Sequence, residues 1–312
     1  RKEKLKGKGK GKKEGTKMNT RDLQYFVALV KYKNYTRVAK EFKVSQPSIT
    51  QAIQRLEREF NTQLVRKDRF HRDEMITRSG LLLYENAVLI NDKIDLTRKE
   101  IDRANKKQIR FGLPPIIGKL YISKIVEEFS GDLLSRLRIT SVGSHDLLNQ
   151  LRKGKIDIAI LGSTAPINEE DIFAELVATR PFGIIVSEQN QLAQKDAVHF
   201  NELAEQKFIN YDQQYVHQSA FQAYCTYAQI KPQIVVYRLP NVSWIKELVR
   251  QNKGISLMVK DAATNEPGIK ALDILDPIPE KFYISIVIRE GYVLSDDEQD
   301  FIQRVKQIQL DN

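Results

Sequence analysis

Gln46, Pro47, Ser48, Thr50, Gln51, Gln54, Arg55 and Arg58 bring amide, hydroxyl and guanidinium groups close together in the chain. At helical periodicity Ile49, Ile53, Leu56 and Phe60 recur as one apolar stripe, leaving Pro47, Gln51, Gln54 and Arg58 facing directly away from it and Ser48, Thr50 and Arg55 on the flanks. Gln can bond adenine edges, Arg guanine edges or phosphate, and Ser or Thr either. The chemistry on offer is hydrogen bonding in a DNA major groove rather than bond breaking. An amphipathic helix whose polar face merely meets water fits the same wheel.

Ser45 can accept from amides at the helix start, and Pro47 is tolerated in the first turn, so the helix is expected to begin at about Gln46. Before it, Val38, Ala39 and Phe42 mark a shorter helix, joined through the tight break Lys43-Val44-Ser45. A supporting helix from Thr20 places Leu23, Phe26, Val27 and Val30 on one side, with Thr20 or Asn19 available as cap. After Phe60, Leu64-Val65 and Met75-Ile76-Thr77 read as two short strands around a basic tip. Arg66, Lys67, Arg69 and Arg72 there could meet phosphates, which raises affinity more than it sets sequence. An exposed polar hairpin is the alternative for that segment.

Charge separates the chain into unlike parts. Residues 1–17 carry nine basic and two acidic residues, and residues 18–107 carry nineteen and twelve. Residues 108–312 carry twenty-two and twenty-six, so the positive field is confined to the first third, as in a nucleic-acid-binding module joined to a different domain. Residues 1–17 alternate Lys and Gly, have little to bury, and are expected to be a disordered basic extension. No apolar run approaches the roughly 20 residues that cross a bilayer, and no secretory signal is recognisable, which predicts a cytoplasmic protein without a membrane partner. The single cysteine, Cys225, cannot form an internal disulfide.

Beyond Gly80, Leu83, Ala87, Ile90, Ile94, Thr97, Ile101 and Ala104 follow heptad spacing, a seam that a second copy of the chain could cover. Packing against the protein's own domains competes with that reading. From Ile109 onward the pattern becomes strand, helix, strand. Runs such as Ile156–Leu161 and Phe182–Val186 are apolar without alternation, as buried parallel strands are. A helix is expected near Lys119 to Phe129, after the break at Pro114-Pro115. Two α/β subdomains with a cleft between them follow, the chain crossing near 180 and returning near 280. Ligands in such sheets sit beyond the carboxyl ends of strands, where helix N-termini present free amides to an anion. The candidate positions are Pro114, Pro115, Ile116, Gly143, Ser144 and Thr164 in the first subdomain. In the second they are Tyr211, His217, Asn241 and Ser243. Each alone could be a helix cap or turn residue, whereas together they converge on one crevice.

Three segments carry a family resemblance: MNTRDLQYFVALV, VAKEFKVSQPSITQAIQRLE and the closing ITRSG. Residues 18–80 resemble the winged helix-turn-helix of LysR-type transcriptional regulators. Ala39, Val44, Ser45, Gln46, Thr50, Ile53, Leu56 and Glu57 fall where that family's pattern expects them or close equivalents. Val65, Arg78 and Gln51 depart from it, where Phe, Pro and Arg are usual. The layout after residue 108 resembles the family's effector-binding domain, itself similar to periplasmic solute-binding proteins, with LRKGKIDIAIL and LVRQNKGISLM as local matches.

The resemblance implies a mainly α winged helix-turn-helix at 18–80, a linker and dimerisation helix at 81–107, and an α/β effector-binding domain at 108–312. Subdomain I would take about 108–179 and 281–312, and subdomain II about 180–280. It implies a homodimer or homotetramer on double-stranded promoter DNA, a small anionic effector, contact with RNA polymerase, and activation rather than simple repression. Ser144 falls where family members commonly bind a ligand carboxylate, and Pro114-Pro115 stand where a hydroxyl residue is frequent. Within the family the chain is similar to regulators of malolactic fermentation genes, which makes malate a candidate effector.

Catalysis finds no support in the motifs. His71, His145, His199 and His217 are scattered, none at metal-helix spacing, and no nucleophile elbow or phosphate-cradling glycine loop occurs. Neither enzyme activity, a cofactor nor a metal is expected. Two rival readings are a cytoplasmic solute-binding protein or enzyme whose basic head serves assembly, and a structural nucleoid protein.

Overall fold

The structure is a computed structural model that describes residues 17–66, 75–104, 106–210, 215–236, 242–278 and 281–308. The described residues form two compact units, divided between Lys99 and Glu100.

In the first unit, α1 (Thr20–Tyr32), α2 (Tyr35–Glu41) and α3 (Gln46–Glu59) each start at a side chain that accepts from the first turn: Asn19, Asn34 and Ser45. Their apolar stripes close over Phe26, Leu29, Val38, Ile49 and Leu56, all fully buried. Tyr25 meets Phe42 edge-on with centroids 4.9 Å apart. Val65 and Ile76 form an antiparallel bridge, and Arg66 N donates to Met75 O at 2.8 Å. That is the stem of the hairpin. Its tip, with Lys67, Arg69 and Arg72, lies outside the described residues.

The long helix α4 runs from Arg78 to Ala104. Leu83 and Ala87, expected on a seam between two copies, instead pack into the first unit's own core, Ala87 completely. Ile90 and Ile101 remain 43% and 66% exposed, and Ile94 is half-buried, so only the later part of the heptad pattern stays open within one chain.

The second unit begins with β1 (Ile109–Gly112), α5 (Pro115–Glu128), α6 (Gly131–Arg136), β2 (Leu137–Thr140), α7 (Ser144–Arg152), β3 (Ile158–Ser163) and β4 (Ile172–Arg180). It continues through β5 (Phe182–Ser187), β6 (Ala197–Val198), β7 (Lys207–Asn210), α8 (Val216–Ala228), β8 (Gln233–Val236) and α9 (Val242–Arg250). The last elements are β9 (Ser256–Val259), β10 (Ile269–Ile274), β11 (Phe282–Arg289) and α10 (Asp296–Gln307). One sheet has the order β2-β1-β3-β11-β4 and a second β6-β10-β5-β9, with β7 and β8 as a separate pair. The chain passes from the first sheet to the second between Arg180 and Phe182, and is back in the first at Phe282.

Two expectations are corrected. The apolar run Phe182–Ser187 is buried throughout, yet it pairs antiparallel with both β9 and β10. β3 is parallel to β1 on one side and antiparallel to β11 on the other. Burial on both faces removes alternation whichever way a strand runs, so continuous hydrophobicity did not report strand direction. Second, Pro114-Pro115 does not delay α5 to Lys119. Pro115 is the first helical residue, where a missing N–H is harmless.

Candidate DNA-reading helix and effector pocket

In the first unit, Gln46, Pro47, Gln51, Gln54 and Arg58 are exposed along α3, and Ser48 and Thr50 are half-buried beside them. Ser48 is held by Ser45, with Oγ to Oγ 2.8 Å, and Thr50 Oγ1 donates to Gln46 O at 3.3 Å. Arg66 is exposed at the edge of the hairpin stem. Arg55 departs from expectation. Its Nε and Nη2 donate to the Asp22 carboxylate at 2.9 and 2.6 Å, and Asp22 is completely buried. The guanidinium is therefore engaged in bracing α3 against α1, because a wheel cannot show a partner thirty-three positions away.

A second brace was missed as well. Glu57 Oε1 accepts from Leu64 N at 2.9 Å and Val65 N at 3.2 Å, fixing the first strand of the stem to α3. The only sequence signal was that Glu57 matched the family pattern.

The second unit contains a cavity of about 830 Å³. Its wall includes the first turns of four helices: α5 with Pro115, Ile116 and Lys119, α7 with Ser144 and Asp146, α8 with Val216 and His217, and α9 with Val242, Ser243 and Lys246. Elsewhere α1, α2, α3, α6 and α10 have their first amides bonded by a side-chain cap. At α5, α7 and α8 the capping positions are Pro114, Gly143 and Tyr215, and none supplies a side-chain cap bond. The positive dipole ends of these helices thus border the cavity, an arrangement suited to an anion. A Cβ at Gly143 would meet nothing within 4 Å, so the approach to this backbone is open. Across the wall, a Cβ on Gly162 would sit 2.1 Å from Phe282 Cζ. The glycine makes room for the Phe282 ring that lines the cavity.

Of the expected ligand positions, Pro114, Pro115, Ile116, Gly143, Ser144, His217 and Ser243 line this one cavity. Ser144 Oγ accepts from Gly162 N at 3.0 Å, which anchors the start of α7 on the end of β3. Thr164, one residue beyond the end of β3, is not in the wall. Tyr211 and Asn241 lie outside the described residues. His217 is 3% exposed, its ring against Phe182 and Phe282. Burial pushes its pKa down to about 3, so the imidazole is neutral and offers an anion no full charge.

The charged part of the wall was not foreseen. Lys246 Nζ donates to Glu266 Oε1 at 2.7 Å and to Ala262 O at 2.5 Å, and Lys119 bonds the same carboxylate oxygen. Hydrogen bonding from Lys119, then from Lys246, pulls Glu266 down to about 2, while burial lowers the Lys246 ammonium. The depressed carboxylate pKa means that the cluster's contribution is fully present above the ordinary glutamate range and is lost progressively as pH falls from there through about 2. Lys246 did have a signature. It stands at an apolar position of α9, in series with Val242, Ile245 and Val249, where a lysine is costly without a partner. Glu266, in the turn before Pro267, had none.

Residues 20–80 match the family described as bacterial regulatory helix-turn-helix protein, lysR family, and residues 102–309 match the LysR substrate binding domain. The malolactic fermentation system transcriptional activator of Lactococcus lactis is 32% identical over 93% of this chain and 98% of its own length. The chain belongs to the LysR family. It is a transcriptional regulator with a DNA-binding head and an effector-binding domain, and neither the enzyme nor the assembly-head reading is favoured.

Another LysR-type relative, the hydrogen peroxide-inducible genes activator of Haemophilus influenzae, is 29% identical over 88% of this chain and 91% of its own. Among solved structures, the effector binding domain of QuiR in complex with shikimate aligns with a TM-score of 0.56 at 20% identity, covering 64% of this chain and 95% of that one. HinK of Pseudomonas aeruginosa aligns at 0.53 and 19% over 93% of this chain and 98% of its own. These likenesses show the fold. Among the described residues of this LysR-family regulator, no helix is long and apolar enough to cross a membrane, and no group of side chains is arranged to hold a metal ion.

Proposed function

We propose that this LysR-family chain binds promoter DNA as a homodimer or tetramer through α3 and the hairpin. A small carboxylate in the cavity adjusts that binding, leading to activation through RNA polymerase. The observation that carries the effector class is the meeting of helix N-termini whose capping residues supply no side-chain cap bond. The name of the L. lactis relative makes malate the first candidate. The QuiR complex is with shikimate, also a carboxylate.

Peroxide sensing through a thiol fits less well, despite the peroxide-inducible relatives. Cys225 is the chain's one cysteine, and burial pushes its thiol up to about 11, away from the reactive thiolate.

The test is Ser144→Ala. It removes one hydroxyl at the mouth of α7, and calorimetric affinity for the effector should fall about 10- to 150-fold, the usual weight of a hydrogen bond to a charged group. DNA binding without effector should persist. Unchanged effector affinity would reject Ser144 as a ligand.

On the DNA side, Gln51→Ala should narrow the gap between operator and random DNA in competition gel shifts by about 1–3 kcal/mol. Arg66→Ala should instead weaken both alike and flatten the salt dependence by about one unit of slope. Wild-type behaviour of both variants on both DNAs would misplace the interface.

A further inference from the structure

We infer that Glu266 is an internal substitute for an acidic group of the effector, holding the Lys119 and Lys246 ammonium groups that a second carboxylate on the ligand takes over. This rests on the cavity being the effector site, and it specifies the ligand as a diacid.

Glu266 Oε1 accepts from both lysines, and its Oε2 is 3.6 Å from Arg250 Nη2. All four side chains belong to the cavity wall, so the cluster faces the ligand space instead of being enclosed by protein. The Lys246 side chain is 11% exposed. An ammonium so desolvated needs a carboxylate within reach at all times, whether the protein's own or a ligand's. That requirement turns occupation of the pair into an exchange between two anions.

Charge balance points the same way. Lys119, Lys246 and Arg250 face Glu266, Glu247 and Asp146, so the charged wall is balanced while Glu266 holds the pair. A ligand with one carboxylate can use the helix N-termini and leave the cluster untouched. A ligand with two has a matched place for its second charge only when Glu266 gives way.

The exchange also has a structural consequence. Lys119 is on α5, packed with the first sheet, whereas Glu266 and Ala262 follow β9 of the second sheet, and Lys119 Nζ also donates to Ala262 O at 3.2 Å. Taking Lys119 from Glu266 loosens a tie between the two subdomains. A diacid therefore acts on the arrangement that a monoacid leaves in place, through its different affinity for the tied and untied forms.

Calorimetry on the full chain with a matched pair of probes tests this: L-malate, and 2-hydroxybutyrate, in which a methyl replaces the second carboxylate. Glu266→Gln removes the competing charge at nearly constant shape. Malate should bind about tenfold tighter to it while 2-hydroxybutyrate changes by less than about twofold. Lys119→Met alters a half-exposed residue, and should abolish malate's advantage over the monoacid. Unchanged or weaker malate binding to Glu266→Gln, or an equal gain for both probes, would overturn the inference and leave the cavity as a carboxylate site. No binding of either probe to any of the three proteins would overturn the carboxylate reading as well.

Discussion

Arg289→Ala should unfold the C-terminal unit at markedly lower urea, with a loss of about 3–5 kcal/mol, the usual result of removing one partner from a buried ion cluster. Arg289 is 6% exposed. Its guanidinium donates to Glu100 Oε1 at 2.8 and 3.2 Å, to Asp157 Oδ1 at 2.8 Å, and to the carbonyls of Leu151 and Ile156 at 2.9 and 2.6 Å. The Tyr292 ring lies 4.6 Å from the guanidinium carbon. Alanine would leave the carbonyls of Leu151, near the end of α7, and Ile156, just before β3, without this donor, and the buried Asp157 with Arg110 as its remaining ion-pair partner among the described residues. Lysine cannot reproduce the forked geometry and should recover only part of the loss. Trp244, the chain's one tryptophan, lies in the same unit and reports the transition by fluorescence. A midpoint equal to that of the unaltered chain would show that the network contributes nothing net.

The second large effect concerns the brace of the reading helix. Asp22→Ala removes the carboxylate that binds Arg55 and that also accepts from Asn19 N at 3.1 Å in the capping box of α1. It should destabilise the head by about 2–4 kcal/mol and weaken operator binding in proportion. Arg55→Ala strands a completely buried carboxylate and should cost a similar amount. The double variant should cost less than the two losses added together, because neither charge is then left alone. If Arg55 acted on DNA directly instead, Arg55→Ala would lower operator affinity with its melting temperature unchanged.

These two networks also mark where sequence reading stopped. The helix α3 was legible because Ile49, Ile53 and Leu56 recur at its period and Ser45 and Pro47 mark its start, all within fifteen residues. The Asp22–Arg55 pair was not, since nothing local distinguishes a guanidinium turned toward α1 from one turned toward DNA. Likewise Ile158–Leu161 announced a buried strand, but burial is blind to the partner's direction. Of the helix α8 only a start near His217 was read, not its extent: Ala220, Phe221 and Tyr224 are spaced among Gln, Ser and Thr, and Tyr215 gives no capping signal. β4 was also missed, since it is an edge strand whose burial is only partial. In the cavity, positions after strands could be guessed from the general rule for α/β sheets, which found Gly143 and Ser144. Lys119 and Glu266 meet only because α5 and the turn after β9 are brought together by tertiary packing, which no spacing in the chain encodes.

The carboxylate-sensing account is tested most directly by thermal melting of the full chain against a panel of small organic acids, with Ser144→Ala alongside. The account predicts that at least one carboxylate raises the melting temperature of the unaltered chain in a saturable way, by ligand linkage, and that the same acid at the same concentration has a much smaller effect on the variant. Melting temperatures that no acid moves, or a rise of equal size in both proteins, would contradict it.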